Sequence, residues 1–131
     1  MILTNKHLLI HPSGKMEWVE LHRMRQFDDI YCGDYAYDLR EIYRALGVDF
    51  FEQVSLVLPG IVILIDEIGK LRNPPQPHNE LASRLYGGYQ FGDDIVGPAL
   101  FFRKIGPDIA PLEPADEARL SLFLGVSLPE K

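Results

Sequence analysis

Cysteine, basic residues and long apolar runs are scarce in this sequence. Its 131 residues include a single cysteine, Cys32, which excludes an internal disulfide and a thiolate-rich zinc site. No apolar stretch reaches the roughly 18 residues of a membrane-spanning helix, because Asp66 and Glu67 end the longest candidate. The first residues also lack the basic region and apolar core of a secretory signal. We therefore expect a cytoplasmic protein without a membrane partner.

Positive charge is in deficit as well. The chain has 13 Lys and Arg against 19 Asp and Glu, a formal net charge of -6. This balance repels a phosphate backbone, so a nucleic-acid partner is disfavoured. An acidic imitation of DNA is disfavoured too, because the basic residues interleave with the acidic ones. The apolar fraction of 47% is ordinary for a folded chain, and we expect a single domain over residues 1–131.

Periodicity and turn residues predict an α+β domain, with three short helices packed mainly on one face of a mostly antiparallel sheet of about five strands. Apolar patterns typical of strands cover residues 2–10, 16–21, 50–58, 61–65 and 95–105. Helical spacing covers residues 39–46, 80–86 and 114–124. Pro59 and Gly60 favour a turn between the third and fourth strands.

Two helix starts and one turn carry specific local signals. Asp38 and Glu41 have the spacing of a capping box. Asn79 can cap the second helix with its side chain. After the fourth strand, Asp66 to Gly69 is predicted to form a tight turn in which the glycine supplies a positive φ.

Four pieces of sequence, in order, resemble a known family. They are His7-Leu-Leu-Ile-His-Pro-Ser-Gly-Lys15, Ile65-Asp-Glu-Ile-Gly-Lys-Leu71, Asn79-Glu-Leu-Ala-Ser-Arg-Leu-Tyr86 and Asp93-Asp-Ile-Val-Gly-Pro-Ala-Leu100. Together they are similar to the family catalogued as domain of unknown function three-eight-four-six, over about residues 6–103. The matching positions are Asp66, Glu67, Gly69, Lys70, Asn79, Ala82, Tyr86, Ile95 and Gly97. Members are small proteins of phages, plasmids, conjugative elements and their bacterial hosts, so the resemblance implies a fold and a genetic setting but no activity.

No catalytic or metal-binding set is predicted from residue spacing, and no cofactor is expected. On a strand, His7 and His11 would lie about 13 Å apart, too far to share a metal. His22 and His78 have no ligand-like neighbours at useful spacing. Asp66 and Glu67 would point to opposite faces of a strand and could not flank one bond. Cys32 keeps open the alternative of a small hydrolase with a cysteine nucleophile, although a lone cysteine is more often a buried apolar side chain.

Two segments are candidate binding regions. Residues 27–37 concentrate tyrosine and aspartate, and tyrosine is enriched in contact surfaces. There the predicted contact residues are Tyr31, Asp34, Tyr35 and Tyr37, unless the segment is only an ordered cover over the sheet. A small-ligand pocket is predicted near Asn79, Tyr89 and Phe91, in and beside a glycine-flanked loop over residues 89–94.

These observations favour a non-catalytic binding protein associated with a mobile element, which occludes a host or defence protein. One alternative is a protein that binds a nucleotide or similar metabolite near Tyr89. The other is the hydrolase that would use Cys32. The oligomeric state does not follow from the sequence.

Overall fold

The computed structural model describes residues 2–25 and 35–131. In these ranges one antiparallel sheet of seven strands is accompanied by three α-helices and two short 3₁₀ helices. The strands are β1 (Ile2–Ile10), β2 (Met16–Arg25), β3 (Tyr35–Tyr37), β4 (Phe51–Ser55), β5 (Ile61–Asp66), β6 (Ala99–Ile105) and β7 (Asp108–Ala110). The α-helices are α1 (Leu39–Leu46), α2 (Glu80–Leu85) and α3 (Pro114–Leu124), and the 3₁₀ helices are Gly69–Leu71 and Gly87–Phe91.

The α+β class and the antiparallel sheet are confirmed, but the expected five strands are seven. The two missed strands, β3 and β7, have three residues each. A strand of that length shows too little alternation to be recognised in a sequence. The segment before α1, to which the sequence pattern assigned no strand, ends in β3, which pairs with the end of β2.

The strand order is β3-β2-β1-β6-β5-β4, and β7 pairs with the second half of β6. Two predicted hairpins are confirmed. The β1–β2 turn is closed by the His11 N–H, which donates to the Lys15 carbonyl at 2.9 Å. In the β4–β5 turn Gly60 has a φ of 81°, and the Ile61 N–H donates to the Leu58 carbonyl at 3.3 Å.

Both faces of the sheet are covered by helices. One face contributes Ile63 and Phe101 to a core with residues of α2 and α3. The other face contributes Leu64 and Phe102 to a core with Ile42 and other residues of α1. Every residue of β5 is buried, which explains its unbroken apolar run, since a strand covered on both faces has no solvent-facing positions.

The helix caps follow the sequence signals except at Glu41. Asp38 and Asn79 cap α1 and α2 with their side chains, as predicted. The Glu41 carboxylate, however, accepts from the His22 N–H at 2.8 Å and lies 2.7 Å from His22 Nδ1. The predicted capping box is therefore wrong, because a pairing with β2 takes the carboxylate that would have closed it.

Gly69 does not have the positive φ that was predicted for it. It begins the 3₁₀ helix Gly69–Leu71, and its backbone is not in the left-handed region. Its backbone instead packs closely: a Cβ on Gly69 would stand 2.9 Å from Val96 Cγ2 and 3.3 Å from Gln76 Cγ. The glycine is required here by a close approach, not by a turn conformation.

Candidate functional site

An open groove lies between the end of α2, the 3₁₀ helix Gly87–Phe91 and α3. It has a volume of about 430 Å³. Its lining, which we call the aromatic groove, consists of Val57, Arg84, Tyr86, Gly87, Tyr89, Gln90 and Phe123. Phe123 is 42% exposed, and Phe91, the residue after Gln90, is 83% exposed. Aromatic side chains thus remain accessible at a concave surface, which is the shape of a contact site.

Local sequence produces this groove. The Tyr86 N–H donates to the Ser83 carbonyl at the end of α2, and the chain then turns through two glycines. Gly88 has no room for a side chain, because a Cβ there would lie 2.5 Å from the Tyr86 ring. The Val57 N–H donates to the Leu85 carbonyl at 2.9 Å. This bond brings the loop after β4 against the end of α2 and completes the groove wall.

A second depression adjoins the groove and shares Tyr86 with it. We call it the acidic cleft; its volume is about 130 Å³. Its apolar lining includes Val54, Ile65, Ile95 and Val96, and its carboxylates are Glu52, Asp66, Glu67, Asp93 and Asp94. The Tyr86 hydroxyl donates to Asp93 at 3.0 Å, so this side chain links the aromatic surface to the acidic one.

Asp66 is the structural carboxylate of the cleft. It is buried and accepts from the Arg72 guanidinium, from Gln76 Nε2 at 3.2 Å and from the Ile68 N–H at 3.1 Å. Burial opposes its charge, but the hydrogen bonds from these donors outweigh burial and lower the pKa of Asp66. Asp66 therefore stays ionised and fixes the chain that follows β5.

Lys70 and the remaining carboxylates form the rim of the cleft. Lys70 Nζ pairs with Asp93 and, at 3.1 Å, with Asp94. The hydrogen bond to Asp93 is the main reason that the pKa of Lys70 is raised. Glu52 and Glu67 are exposed and have no ion-pair partner among residues 2–25 and 35–131. The rim thus carries uncompensated negative charge.

A histidine joins α2 to the segment before β6. His78 Nδ1 lies 2.6 Å from Asp94 Oδ2, and Nε2 lies 2.7 Å from Glu80 Oε2. The Tyr89 hydroxyl donates to the same Glu80 oxygen at 2.9 Å. The hydrogen bond to Glu80, followed by the one to Asp94, raises the pKa of His78. A carboxylate thus lies at each ring nitrogen, an arrangement that favours the protonated imidazole and leaves neither nitrogen free towards a substrate.

The sequence predicted no ligand-like neighbours at useful spacing for His22 or His78, but carboxylates lie against both rings: Glu41 at His22, and Glu80 and Asp94 at His78. Glu80, two residues further on, was visible in the sequence but was assigned only to the start of α2. Asp94 is brought close by tertiary structure, since the isolated bridge between His78 and Val96 aligns the two segments. Within the described ranges, no group of three His, Cys, Asp or Glu side chains has the geometry to hold a metal ion.

The structure separates the three residues of the predicted small-ligand pocket. Tyr89 lines the aromatic groove and Phe91 lies beside it. Asn79 is fully buried: its Nδ2 donates to the carbonyls of Ile10 at 3.0 Å and Gly97 at 2.9 Å, and its Oδ1 accepts from the Ala82 N–H. Asn79 therefore anchors three backbone segments and has no hydrogen-bonding group left for a ligand.

The predicted acidic and tyrosine-rich recognition segment is described only at its end. Tyr31, Asp34 and Cys32 lie outside the described residues, and of Tyr35 only the backbone in β3 is described. Tyr37 was expected outside the strands, but it belongs to β3 and its ring centroid lies 5.2 Å from those of Phe102 and His7. Burial raises the pKa of its hydroxyl. Tyr37 is thus a packing residue at the margin of the second core.

Sequence reasoning missed several groove residues, above all Val57, Arg84 and Phe123. Phe123 was placed in the last helix without a role in binding. Helical spacing indicated only weakly that Phe123 is accessible: Leu120 and Leu124 are buried on one face of α3, and Phe123 lies to one side of that face. Val57 had no such signal, because only the backbone bond to Leu85 brings it to the groove.

Comparisons of the chain with protein-family models, with curated proteins and with solved structures found no match. The helices in the described ranges include none with the length and apolar character to cross a membrane.

Proposed function

We propose that this chain is a non-catalytic binding protein that contacts a partner protein through the aromatic groove. The observation that carries the proposal is the groove itself, with Phe91 and Phe123 exposed beside Tyr86 and Tyr89. Aromatic side chains bury large areas on contact and dominate the energetics of many interfaces. A concave surface lined by three of them, Tyr86, Tyr89 and Phe123, with the exposed Phe91 next along the chain, favours recognition of another molecule.

The polar groups next to the groove support binding over catalysis. His78 is held between two carboxylates, and Tyr89 donates to one of them. Lys70 is engaged by Asp93 and Asp94. A nucleophile or general base needs a free lone pair within reach of a substrate, whereas these groups neutralise one another. Their arrangement holds the 3₁₀ helix Gly87–Phe91 in place and so shapes the groove.

The choice of partner rests on the sequence resemblance to proteins of mobile elements alone, since no family model matches the chain. We propose a host or defence protein in the cytoplasm, whose own contact surface is occluded when it binds here. A non-catalytic inhibitor needs only a surface complementary to its target, and the aromatic groove is the surface that we propose for this role. The hydrolase alternative depends on Cys32, which lies outside the described residues.

The test is capture from host lysate followed by native mass spectrometry. Phe91→Ser combined with Phe123→Ser should abolish capture, because each removes an exposed aromatic contact. Ile2→Ser combined with Leu39→Ser is the matched control, since both are exposed apolar residues that neither line the groove nor adjoin a residue that does. Equal capture by the double variant and the control would refute the proposal.

A small ligand is the second candidate, and the size of the groove favours it. A volume of about 430 Å³ falls within the range of pockets for small molecules, roughly 300–1,000 Å³. The rings of Tyr86 and Tyr89 could stack on a planar group such as a nucleobase. A rise in the unfolding temperature with a panel of nucleotides would support this function, because a ligand of the native state stabilises it by mass action.

A further inference from the structure

We infer that the partner presents a basic segment, in which a lysine or arginine side chain lies next to an apolar anchor. The apolar anchor would occupy the aromatic groove and the basic side chain would enter the acidic cleft. This inference rests on the proposed function and adds the chemistry of the partner to it.

The aromatic groove and the acidic cleft adjoin each other. Tyr86 lines both depressions, and its hydroxyl donates to Asp93 on the cleft side. Glu52 also lines the cleft beside Tyr86 and Asp93. A single bound segment can therefore span from the groove to the cleft across one side chain.

The cleft is acidic even after its ion pairs are counted. Five carboxylates line it, and the basic groups that pair with them are Lys70, Arg72 and His78. Glu52 and Glu67 have no ion-pair partner among the described residues. A formal net charge of -6 on the whole chain adds a long-range field of the same sign. Complementary charge would steer a basic partner to this face and disfavour an acidic one.

The shape of the cleft fits one long basic side chain. Its volume of about 130 Å³ admits a side chain but not a folded element. Its floor includes Val54, Ile65 and Ile95, while Glu52 and Glu67 lie at the exposed rim. Lysine and arginine bury an aliphatic stem and keep a charged head at the surface. The apolar floor of the cleft would contact the aliphatic stem of such a side chain, and the acidic rim would contact its charged head.

The probe is a short fluorescein-labelled peptide of alternating leucine and lysine, titrated into the protein at low and moderate salt. Its comparator replaces each lysine by glutamate, since Arg84 also lines the groove and would favour an acidic ligand. We expect the lysine peptide to bind more tightly than the glutamate peptide and to weaken with added salt. Equal binding of the two peptides, or no binding of the lysine peptide, would overturn the inference.

Matched variants assign the binding to the cleft. Glu52→Gln with Glu67→Gln should weaken the lysine peptide about tenfold. Glu20→Gln with Asp108→Asn makes the same change in net charge at exposed positions outside the cleft and should weaken it less than about twofold. Equal losses in the two variants would contradict a specific cleft. The substituted side chains are exposed, so thermal unfolding should be unchanged in both variants.

The outcomes separate this inference from the function on which it rests. Partner capture that needs Phe91 and Phe123 but is insensitive to Glu52→Gln with Glu67→Gln would refute the basic segment and leave the binding function standing. Capture that survives Phe91→Ser with Phe123→Ser would refute the function itself.

Discussion

Gly69 and Val96 lie in direct contact where the chain leaves β5. A Cβ on Gly69 would stand 2.9 Å from Val96 Cγ2, which is closer than packed carbon atoms tolerate. This contact seals one side of the acidic cleft, since both residues line it. A side chain at position 69 would thus force Val96 to shift and alter this wall of the cleft.

Gly69→Ala should therefore destabilise the fold by about 1–3 kcal/mol, because an added methyl group overpacks the contact. The measurement is urea unfolding of the wild type and the variant. Val96→Ala in the same chain removes the methyl that clashes, so the double variant should lose less stability than the sum of the two single variants. Strict additivity would show that the loss comes from backbone conformation and not from Val96.

His78 should titrate above its ordinary pKa of about 6.5, because Glu80 and Asp94 stabilise its cation. A pKa that is raised in the folded state adds stability that is complete below about pH 6.5 and is lost as the pH rises through the folded-state pKa. The groups facing the ring are Asp94, Glu80 and Tyr89, with Lys70 bound to Asp94 and Arg84 on the helix of Glu80.

Titration of the His78 ring by NMR checks this expectation. Glu80→Gln should lower the pKa of His78, whereas Glu20→Gln, a change at an exposed position away from the ring, should leave it unchanged. A titration of wild-type His78 at or below the ordinary value would contradict the geometry of the cluster.

His7 should make the protein sensitive to mild acid. Its side chain is buried between Tyr37 and Phe102, and burial lowers its pKa to about 4. Because the unfolded chain binds the proton more tightly, stability is complete above about pH 6.5 and falls as the pH drops towards 4. The total loss is about 3 kcal/mol, from a pKa difference between about 6.5 and about 4.

Urea unfolding between pH 4 and pH 7 measures this loss. His7→Phe keeps an aromatic ring against Phe102 and removes the proton-binding group, so its stability should vary much less over the same range. Parallel pH profiles for the two proteins would exclude His7 as the cause.

Tyr37 provides a test of packing against recognition. Tyr37→Ser should destabilise the fold by about 2–4 kcal/mol, because the ring packs on Phe102 and His7. Tyr37→Phe should leave stability nearly unchanged, since the Tyr37 hydroxyl is buried without a hydrogen-bond partner in the described ranges. Thermal unfolding of both variants distinguishes packing from recognition. An unaltered melting curve for Tyr37→Ser would contradict the packing role and favour the predicted role of Tyr37 in partner contact.

The sequence predicted those parts of the fold that depend on local signals. The strands at residues 2–10 and 61–65, the caps at Asp38 and Asn79 and the helix at residues 114–124 all have their cause within a few residues. Glu41 shows the limit of such signals, since a bond to His22, nineteen positions away, overrides its local role. β3 and β7 were too short to show alternation.

The candidate site was less predictable than the fold. Tyr89 and Phe91 were predicted because glycines flank two aromatic residues in a short segment, and of the two Tyr89 lines the groove. Val57 and Phe123 also line the groove. Tertiary contacts bring them there, and no local sequence pattern predicts those contacts. The acidic cleft similarly joins Glu52 from β4 to Asp93 before β6. Residues of different elements meet in such sites, so sequence spacing does not reveal them.

Amide hydrogen exchange of the protein, alone and bound to the captured partner, tests the binding function most directly. The account predicts slower exchange on binding in residues 84–92, which form the end of α2 and the 3₁₀ helix Gly87–Phe91. Strand β2, at the other side of the sheet, should exchange at the same rate in both states. Protection confined to residues 27–37, with residues 84–92 unchanged, would contradict the aromatic groove as the contact surface.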